Sequence, residues 1–289
     1  MGRSKKKGKR KKNNGRRVTF ILIPVFLALS LAFFYILKTA SPGKKPGRQV
    51  VRISIPKDKG AEDEAGLRAL PKLALIIDDG GYNMENFKEM LGTGKPITYA
   101  ILPFTPHARE AALLAYRDGS EVMLHLPMEP KNGEQYSLEK NTVLTGMGSK
   151  QIQKILEDAL KQVPHVRGIN NHMGSKATED PQVMEALMQV LKKEGLYFID
   201  SNTSFQTLGL EMARKVGVAS RRNDKFIDRE KKIEAIKNAI RLAMRKAKQE
   251  GRAVAIGHPH PLTARAIKEM ISEIEKEGIR LVFASEVVG

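Results

Sequence analysis

Short apolar runs alternate with amphipathic segments over residues 72–289. Apolar positions spaced three and four apart predict helices, and the short apolar runs between them predict buried strands. The predicted strands are 73–77, 98–102, 121–125, 168–170, 197–199, 216–219, 254–257 and 281–283. The predicted helices lie near 83–92, 107–117, 149–162, 180–194, 208–215, 229–250 and 263–277. This alternation predicts an α/β domain with a parallel sheet, either closed as a barrel or doubly wound.

The N-terminal part of the chain has a different pattern. Residues 18–37 are 20 consecutive uncharged and mainly apolar residues, the length of a helix that crosses a bilayer. Residues 1–17 hold ten Lys or Arg and no acid, so the positive-inside rule places this basic tail in the cytoplasm. Residues 38–71 carry prolines, glycines and charges, which predicts a flexible linker.

These segments predict a single-pass cell-membrane protein with a cytoplasmic N-terminus. The domain at 72–289 is expected outside the cytoplasm, in the periplasm or at the cell surface, and cleavage after the span is the alternative. The net charge of +18 is largely that of the basic tail. We therefore expect anionic lipid headgroups, not nucleic acid, as the partner of the tail. Cysteine is absent, which excludes disulfides, thiolate metal sites and cysteine nucleophiles.

Polar residues that can carry chemistry follow several predicted strands. Asp78 and Asp79 end the first strand, and neighbouring carboxylates repel unless a cation or a shared proton relieves them. A metal ion, with one carboxylate as ligand and the other as base, is one interpretation of this pair. A helix N-cap at a strand-to-helix turn is the other, and it leaves the second Asp unexplained.

His125, His172, Asp200 and His258 each follow a further predicted strand. Because the carboxyl ends of parallel strands meet at one edge, these side chains are expected at one mouth, which favours the barrel. Imidazole and carboxylate ligands without thiolate are typical of a catalytic Zn²⁺ or a similar divalent metal ion. The segment 127–149 is long for a connection, and we expect it to form a substrate wall or lid.

Five segments resemble the divergent polysaccharide deacetylase family, in order and over residues 72–287. They are Ile-Asp-Asp-Gly at 77–80, His-Leu-Pro-Met-Glu-Pro at 125–130, Asn-Asn-His-Met-Gly-Ser at 170–175, Phe-Ile-Asp-Ser at 198–201 and Gly-His-Pro-His-Pro at 257–261. The resemblance implies a distorted (β/α) barrel of about seven parallel strands, here preceded by a single transmembrane helix. It also implies a divalent metal that activates water against an N-acetyl group.

The resemblance also implies roles for individual residues. Asp78 matches the general base, Asp79 the metal-binding Asp, His125 the first metal-binding His, and His258 the general acid. We further expect a carboxylate such as Asp200 to orient His258.

The chain departs from the better-known deacetylases at two places. They carry a second metal-binding His four residues after the first, where this chain has Glu129. His172 completes the metal site in the assignment adopted here, and Glu129 is the alternative ligand. The usual Arg and Tyr of the third motif are replaced by the Asn-Asn-His-Met sequence at 170–173.

The expected function is metal-dependent hydrolysis of a carbohydrate, most simply removal of N- or O-acetyl groups from an envelope polysaccharide or oligosaccharide. Two alternatives stay open. One is a membrane-tethered protein that binds glycan or an envelope partner after losing catalysis. The other is metal-dependent hydrolysis of another amide, an ester or a glycosidic bond.

Overall fold

The structure is a computed structural model that describes residues 70–135 and 137–289. The predicted basic tail, the predicted transmembrane helix at 18–37 and nearly all of the predicted linker lie outside these residues. Within the described part of the chain, no helix combines the length and the apolar character needed to cross a bilayer.

The described residues form nine strands and seven α-helices that alternate along the chain. The strands are β1 (Lys72–Gly80), β2 (Thr98–Ile101), β3 (Glu121–Met128), β4 (Val166–Met173), β5 (Tyr197–Asp200), β6 (Ser220–Arg222), β7 (Lys225–Phe226), β8 (Arg252–Gly257) and β9 (Arg280–Val282). The helices are α1 (Met84–Leu91), α2 (Ala108–Arg117), α3 (Ser149–Gln162), α4 (Pro181–Glu194), α5 (Gly209–Val216), α6 (Ile233–Glu250) and α7 (Pro261–Lys276). Short 3₁₀ turns lie at Gly133–Gln135, Ala177–Glu179 and Ala284–Glu286.

All strand pairs are parallel, in the order β6-β5-β4-β3-β2-β1-β8-β7, and β9 pairs with the start of β1. The two end strands, β6 and β7, are joined in the chain by only Asn223 and Asp224. The Asn223 backbone N–H donates to the Asp200 carbonyl (2.8 Å), and that of Asp224 donates to the Val254 carbonyl (3.0 Å). The predicted parallel α/β sheet is thus confirmed as a curled sheet whose ladder stops between β6 and β7.

The two faces of the sheet have separate cores because successive side chains of a strand point to opposite faces. On β1, Leu73, Leu75 and Ile77 pack in the larger cluster under the helices. Ala74 and Ile76 of the same strand face the inside of the curl. The strand residues that fill this inner core are Ala74, Ile76, Ala100, Met123, Tyr197, Ile199, Val254, Ile256 and Val282.

One predicted strand is wrong. Residues 216–219 do not form a strand, because α5 extends to Val216 and Gly217, at φ +82°, ends that helix in the left-handed region. The strand at this place is β6, whose three residues are all half-buried. β6 and the two-residue β7, which was not predicted, end the sheet order, and such edge strands lack the apolar run of a buried strand.

Candidate metal and catalytic site

A layer of polar side chains lies next to the inner core, at the carboxyl edge of the sheet. It forms because alternate residues of each strand point inwards, and the last inward-pointing residues are polar. Asp78 follows Ile76 by two residues, His125 follows Met123, and His258 follows Ile256. Each therefore points to the inside of the curl, one step nearer the carboxyl edge. Asn170, which pairs in register with His125, joins the same layer. Asp78, His125 and Asn170 are almost completely buried.

Asp79 reaches the same layer through an irregular backbone. By alternation alone it would face the helices, but its φ is +56° and the pairing with β2 shifts register between Ile77 and Gly80. A left-handed conformation at a non-glycine residue costs about 1 kcal/mol or more, and such strain clusters at functional sites. Gly81 follows at φ +112°, and a Cβ there would lie 2.3 Å from Thr105 Oγ1. The turn thus brings two consecutive carboxylates to one mouth.

Three ligand-type atoms form a nearly equilateral triangle at this mouth. Asp79 Oδ1 lies 3.3 Å from His125 Nε2 and 3.2 Å from His172 Nδ1, and these two nitrogens are 3.1 Å apart. Ligands held ~2.0–2.1 Å from one ion are spaced ~2.9 Å apart in octahedral and ~3.3–3.4 Å apart in tetrahedral geometry. Asp79 Oδ1 is buried and accepts no hydrogen bond. The donor set, its spacing and this unsatisfied oxygen all fit a divalent ion such as Zn²⁺.

Asn170 determines which nitrogen of His125 faces the triangle. Asp78 Oδ1 accepts a hydrogen bond from Asn170 Nδ2 (2.7 Å), which turns the Asn170 amide oxygen towards His125 Nδ1, also at 2.7 Å. That oxygen can only accept, so His125 Nδ1 carries the proton. The Nε2 lone pair is therefore directed to the triangle, as a metal ligand requires.

The two adjacent carboxylates have opposite pKa shifts. Burial raises the pKa of Asp78, although nearby His125 and His258 oppose the shift. Burial also opposes ionisation of Asp79, but its contacts with His125 and His172 outweigh burial and hold its pKa well below its usual range. The environment therefore separates a carboxyl that can take up a proton from one that stays charged.

His258 lies on the other side of Asp79 and is held by Asp228. Its Nδ1 is 2.9 Å from Asp228 Oδ1, and its backbone N–H donates to Asp228 Oδ2 (2.6 Å), which also accepts from Thr263 Oγ1. Its Nε2 is 3.9 Å from Asp79 Oδ2. Burial lowers the pKa of His258, but Asp228 outweighs this effect and raises it to about 9. A protonated imidazole is thus presented to the mouth.

Comparison with known proteins identifies the family. Residues 75–288 match the family model described as divergent polysaccharide deacetylase. The chain belongs to this family. It is 40% identical to the uncharacterized protein YibQ of Escherichia coli (strain K12) over 217 residues, which are 75% of this chain and 67% of that protein. It is 33% identical to an uncharacterized protein of Haemophilus influenzae (strain ATCC 51907 / DSM 11121 / KW20 / Rd) over 214 residues, 74% of this chain and 75% of the relative.

A solved structure has the same fold. The crystal structure of an uncharacterized protein from Agrobacterium tumefaciens C58 superposes with a TM-score of 0.73 at 21% identity, over 76% of this chain and 89% of that chain. The curled parallel sheet is thus shared with a known structure, whereas the family-model match over residues 75–288 confirms the resemblance drawn from the five segments.

In this member of the divergent polysaccharide deacetylase family, the predicted contact between Asp200 and His258 is wrong. Asp200 lies on the outer face of β5, in phase with Phe198, whereas His258 points inwards. Its Oδ1 accepts from the Asn202 backbone N–H and its Oδ2 from Thr207 Oγ1, both at 2.8 Å. Burial raises the pKa of Asp200, and these hydrogen bonds oppose the shift.

The carboxylate beside His258 was missed, although the sequence contains a signal for it. Residues 226–228 read Phe-Ile-Asp, the same tripeptide that ends at Asp200 in residues 198–200. The two copies are locally equivalent, and only the three-dimensional arrangement places Asp228 beside His258.

Glu129 lies outside the triangle. Its Oε2 accepts from the backbone N–H (2.7 Å) and the hydroxyl (2.6 Å) of Thr145, and its Oε1 is 2.6 Å from Lys176 Nζ. These contacts lower the pKa of Glu129 against the opposing effect of burial. Of the two residues considered as the third ligand, His172 is the one that the fold brings to Asp79 and His125.

Proposed function

We propose that this protein is a divalent-metal-dependent hydrolase that removes acetyl groups from an envelope polysaccharide or oligosaccharide. The observation that carries the proposal is the triangle of Asp79, His125 and His172, in which the buried Asp79 Oδ1 accepts no hydrogen bond. Asp78 and His258 flank this triangle, one suited to accept a proton and the other to donate one.

Each residue has a distinct part in the proposed reaction. Asp79, His125 and His172 would hold the ion, which would supply Lewis acidity and lower the pKa of a water molecule towards neutrality. Asp78 would accept a proton from the attacking water on Oδ2, which lies 3.6 Å from His125 Nε2, while its Oδ1 keeps the hydrogen bond from Asn170. His258 Nε2 gives its proton to the departing amine or alcohol, and Asp228 stabilises the charged imidazole before transfer.

A panel of acetylated substrates tests this proposal. The purified full chain is stripped of metal, reloaded with Zn²⁺, and offered N- and O-acetylated glycans and peptidoglycan fragments. We expect metal-dependent acetate release without new reducing ends. New reducing ends would indicate glycosidic cleavage instead, and binding without either product would indicate a glycan-binding protein.

Substitution of the base gives a second test. Asp78→Asn removes the proton acceptor but keeps the triangle, so we expect retained Zn²⁺ binding and a loss of turnover of about 10²–10⁴-fold. Asp118→Asn, at an exposed carboxylate after α2, is the matched control and should leave turnover unchanged. Full activity of Asp78→Asn would contradict the assignment of the base. The absence of both a bound ion and a response to chelator would contradict the metal-dependent reaction.

A further inference from the structure

A cavity opens at the same edge of the sheet as the candidate site. Its volume is about 420 Å³, within the ~300–1,000 Å³ typical of small-molecule sites. The loop after β5 forms one wall and the segment from β7 onwards forms the other, at the place where the ladder between β6 and β7 is interrupted. The lining residues are Asn202, Thr203, Ser204, Phe205, Phe226 and Arg229.

Both walls of this cavity are attached to the candidate site. Thr203 Oγ1 donates to the Met173 carbonyl (2.9 Å) and accepts from Asn171 Nδ2 (3.3 Å), the two residues that flank His172. On the other wall, Arg229 directly follows Asp228, which holds His258. A ligand that spans from the metal triangle towards β6 and β7 therefore enters this cavity.

Phe205 is the most exposed large apolar side chain of the described residues. Its relative exposure is 101%, whereas the other exposed large hydrophobic residues range from 36% to 54%. An apolar ring left in water forgoes about 1.5–3 kcal/mol of burial, and a ligand in the neighbouring cavity can supply the missing apolar contact.

The loop that carries Phe205 is fixed at both ends. Asp200 accepts from the Asn202 backbone N–H at one end and from Thr207 Oγ1 at the other, both at 2.8 Å. In between, Ser204 Oγ donates to Glu179 and accepts from the Gln206 backbone N–H. The buried Asp200 thus holds the loop in a defined shape, so little entropy is lost when the ring meets a ligand.

The opposite wall combines an aromatic face with hydrogen-bond donors. The Arg229 guanidinium carbon lies 5.1 Å from the centroid of the Phe226 ring, which keeps the guanidinium plane at the cavity wall. On the facing loop, the Thr203 and Ser204 hydroxyls already donate to Met173 and Glu179, and the oxygens of Asn202, Thr203 and Ser204 can accept from hydroxyls of a ligand. Apolar ring faces bordered by such donors and acceptors match a sugar, which has C–H groups on one face and hydroxyls at its rim.

We propose that this cavity binds a second sugar unit of the glycan, with Phe205 stacked on its apolar face, while the unit to be deacetylated lies at the metal triangle. This inference rests on the proposed function for the identity of the ligand as a glycan chain. It makes Phe205 a residue that selects oligosaccharides over single sugars, and it makes Asp200 the positioning residue of the Phe205 loop.

The test measures binding of the N-acetylglucosamine pentamer to the Zn²⁺-loaded full chain by calorimetric titration. We expect Phe205→Ala to weaken pentamer binding by about 3- to 10-fold relative to the wild type. Phe205→Tyr keeps the aromatic ring and should bind the pentamer like the wild type. Leu242→Ala removes a comparably sized apolar side chain that is 43% exposed on α6, and it should leave binding unchanged. Zn²⁺ affinity should be the same in all variants, because neither Phe205 nor Leu242 belongs to the ligand group of Asp79, His125 and His172.

The outcomes separate this inference from the proposed function. Equal pentamer affinity in the wild type and Phe205→Ala overturns the sugar subsite, even if acetate is released normally. Weaker binding in Phe205→Ala with restoration by Phe205→Tyr supports the subsite, even if no acetate is released by any variant. Absent acetate release then counts against the deacetylase reaction alone.

Discussion

Asn170 couples the candidate base to the first candidate metal ligand. It donates to Asp78 and accepts from His125, both at 2.7 Å, and so keeps the His125 Nε2 lone pair at the triangle. Asn170→Ala removes both contacts and leaves the His125 tautomer undetermined. We expect a 10- to 100-fold loss of Zn²⁺ affinity, measured by competition with a chromophoric chelator.

A matched substitution controls for the loss of an amide side chain. Asn238 is exposed on α6, where its amide oxygen accepts a hydrogen bond from Arg241. Asn238→Ala should bind Zn²⁺ like the wild type. If Asn170→Ala also binds like the wild type, the hydrogen bond of His125 does not control the triangle.

Asp228 is expected to set the alkaline limit of activity. It raises the pKa of His258 to about 9 against the lowering effect of burial. The proposed general acid works in its protonated form, so wild-type kcat/KM should decline as pH rises through about 9. Asp228→Asn removes the charge that favours protonation, so the decline should begin at lower pH, by about one pH unit or more.

The measurement is a pH profile of kcat/KM for acetate release by the wild type and Asp228→Asn. A uniform loss of activity at all pH values, with the alkaline limit unmoved, would mean that Asp228 has only a structural part. Glu269→Gln, at an exposed carboxylate on α7 whose pKa is lowered by Lys237, is the control and should leave the profile unchanged.

At the residue scale, the sequence predicts which polar residues stand at the ends of strands, but it does not predict which of them contact each other. Asp78, His125 and His258 each lie two positions after an inward-pointing apolar residue of a strand, so the alternation of the strand directs them inwards as well. Asp200 and Asp228 both end a Phe-Ile-Asp tripeptide, and the partner of His258 depends on which strands become neighbours. Nothing local to either tripeptide contains that information.

At the element scale, the packing of β4 against β5 depends on a glycine, because a residue without a side chain leaves space for a tyrosine ring. Gly168 on β4 faces the Tyr197 ring of β5, and a Cβ at Gly168 would lie 2.3–2.5 Å from three of its carbon atoms. The ring cannot swing away freely, because the Tyr197 hydroxyl donates to the buried Glu121 carboxylate at 2.7 Å. We expect Gly168→Ala to lower the free energy of unfolding by about 1–3 kcal/mol, measured by urea denaturation.

Gly148 offers the control for this substitution. It precedes α3 with φ −71°, and a Cβ there would meet no atom within 4 Å. Gly148 is the N-cap of α3, so Gly148→Ala should cost no more than the difference between Gly and Ala at an N-cap, about 0.5–1 kcal/mol. Equal stability of Gly168→Ala and Gly148→Ala would mean that the inner core adapts to the added methyl group.

Long amphipathic helices were predicted better than short strands. The helix at 149–162 matches α3 at both ends, because its apolar residues Ile152, Leu156 and Ala159 repeat at helical spacing. By contrast, β6 has three residues and β7 has two, and Phe226 is the one apolar residue in these two strands. Their conformation is imposed by pairing with β5 and β8, which is a long-range effect.

At the scale of the whole molecule, the interruption between β6 and β7 gives the mouth its shape. The curled sheet brings β1, β3, β4 and β8 together at one edge, where the candidate metal site lies. The gap in the ladder leaves room beside it for the cavity lined by Phe205. The sequence predicted that strand ends converge, but not where the sheet stops pairing, since that depends on the summed twist and register of all strands.

The membrane anchor stays a prediction, and we propose that residues 18–37 hold the domain at the outer side of the cytoplasmic membrane. Twenty uncharged residues suffice to span the bilayer. Full-length protein should therefore stay in the membrane pellet after alkaline carbonate extraction, and deletion of residues 1–37 should release it.

In spheroplasts, added protease should digest the domain but spare a tag placed before residue 1, because the ten basic residues of the tail resist translocation. Replacing those ten residues with Ser and Gln should keep the protein in the pellet and expose part of the tag. Extraction of the full chain by carbonate, or a protected domain in intact spheroplasts, would contradict this topology.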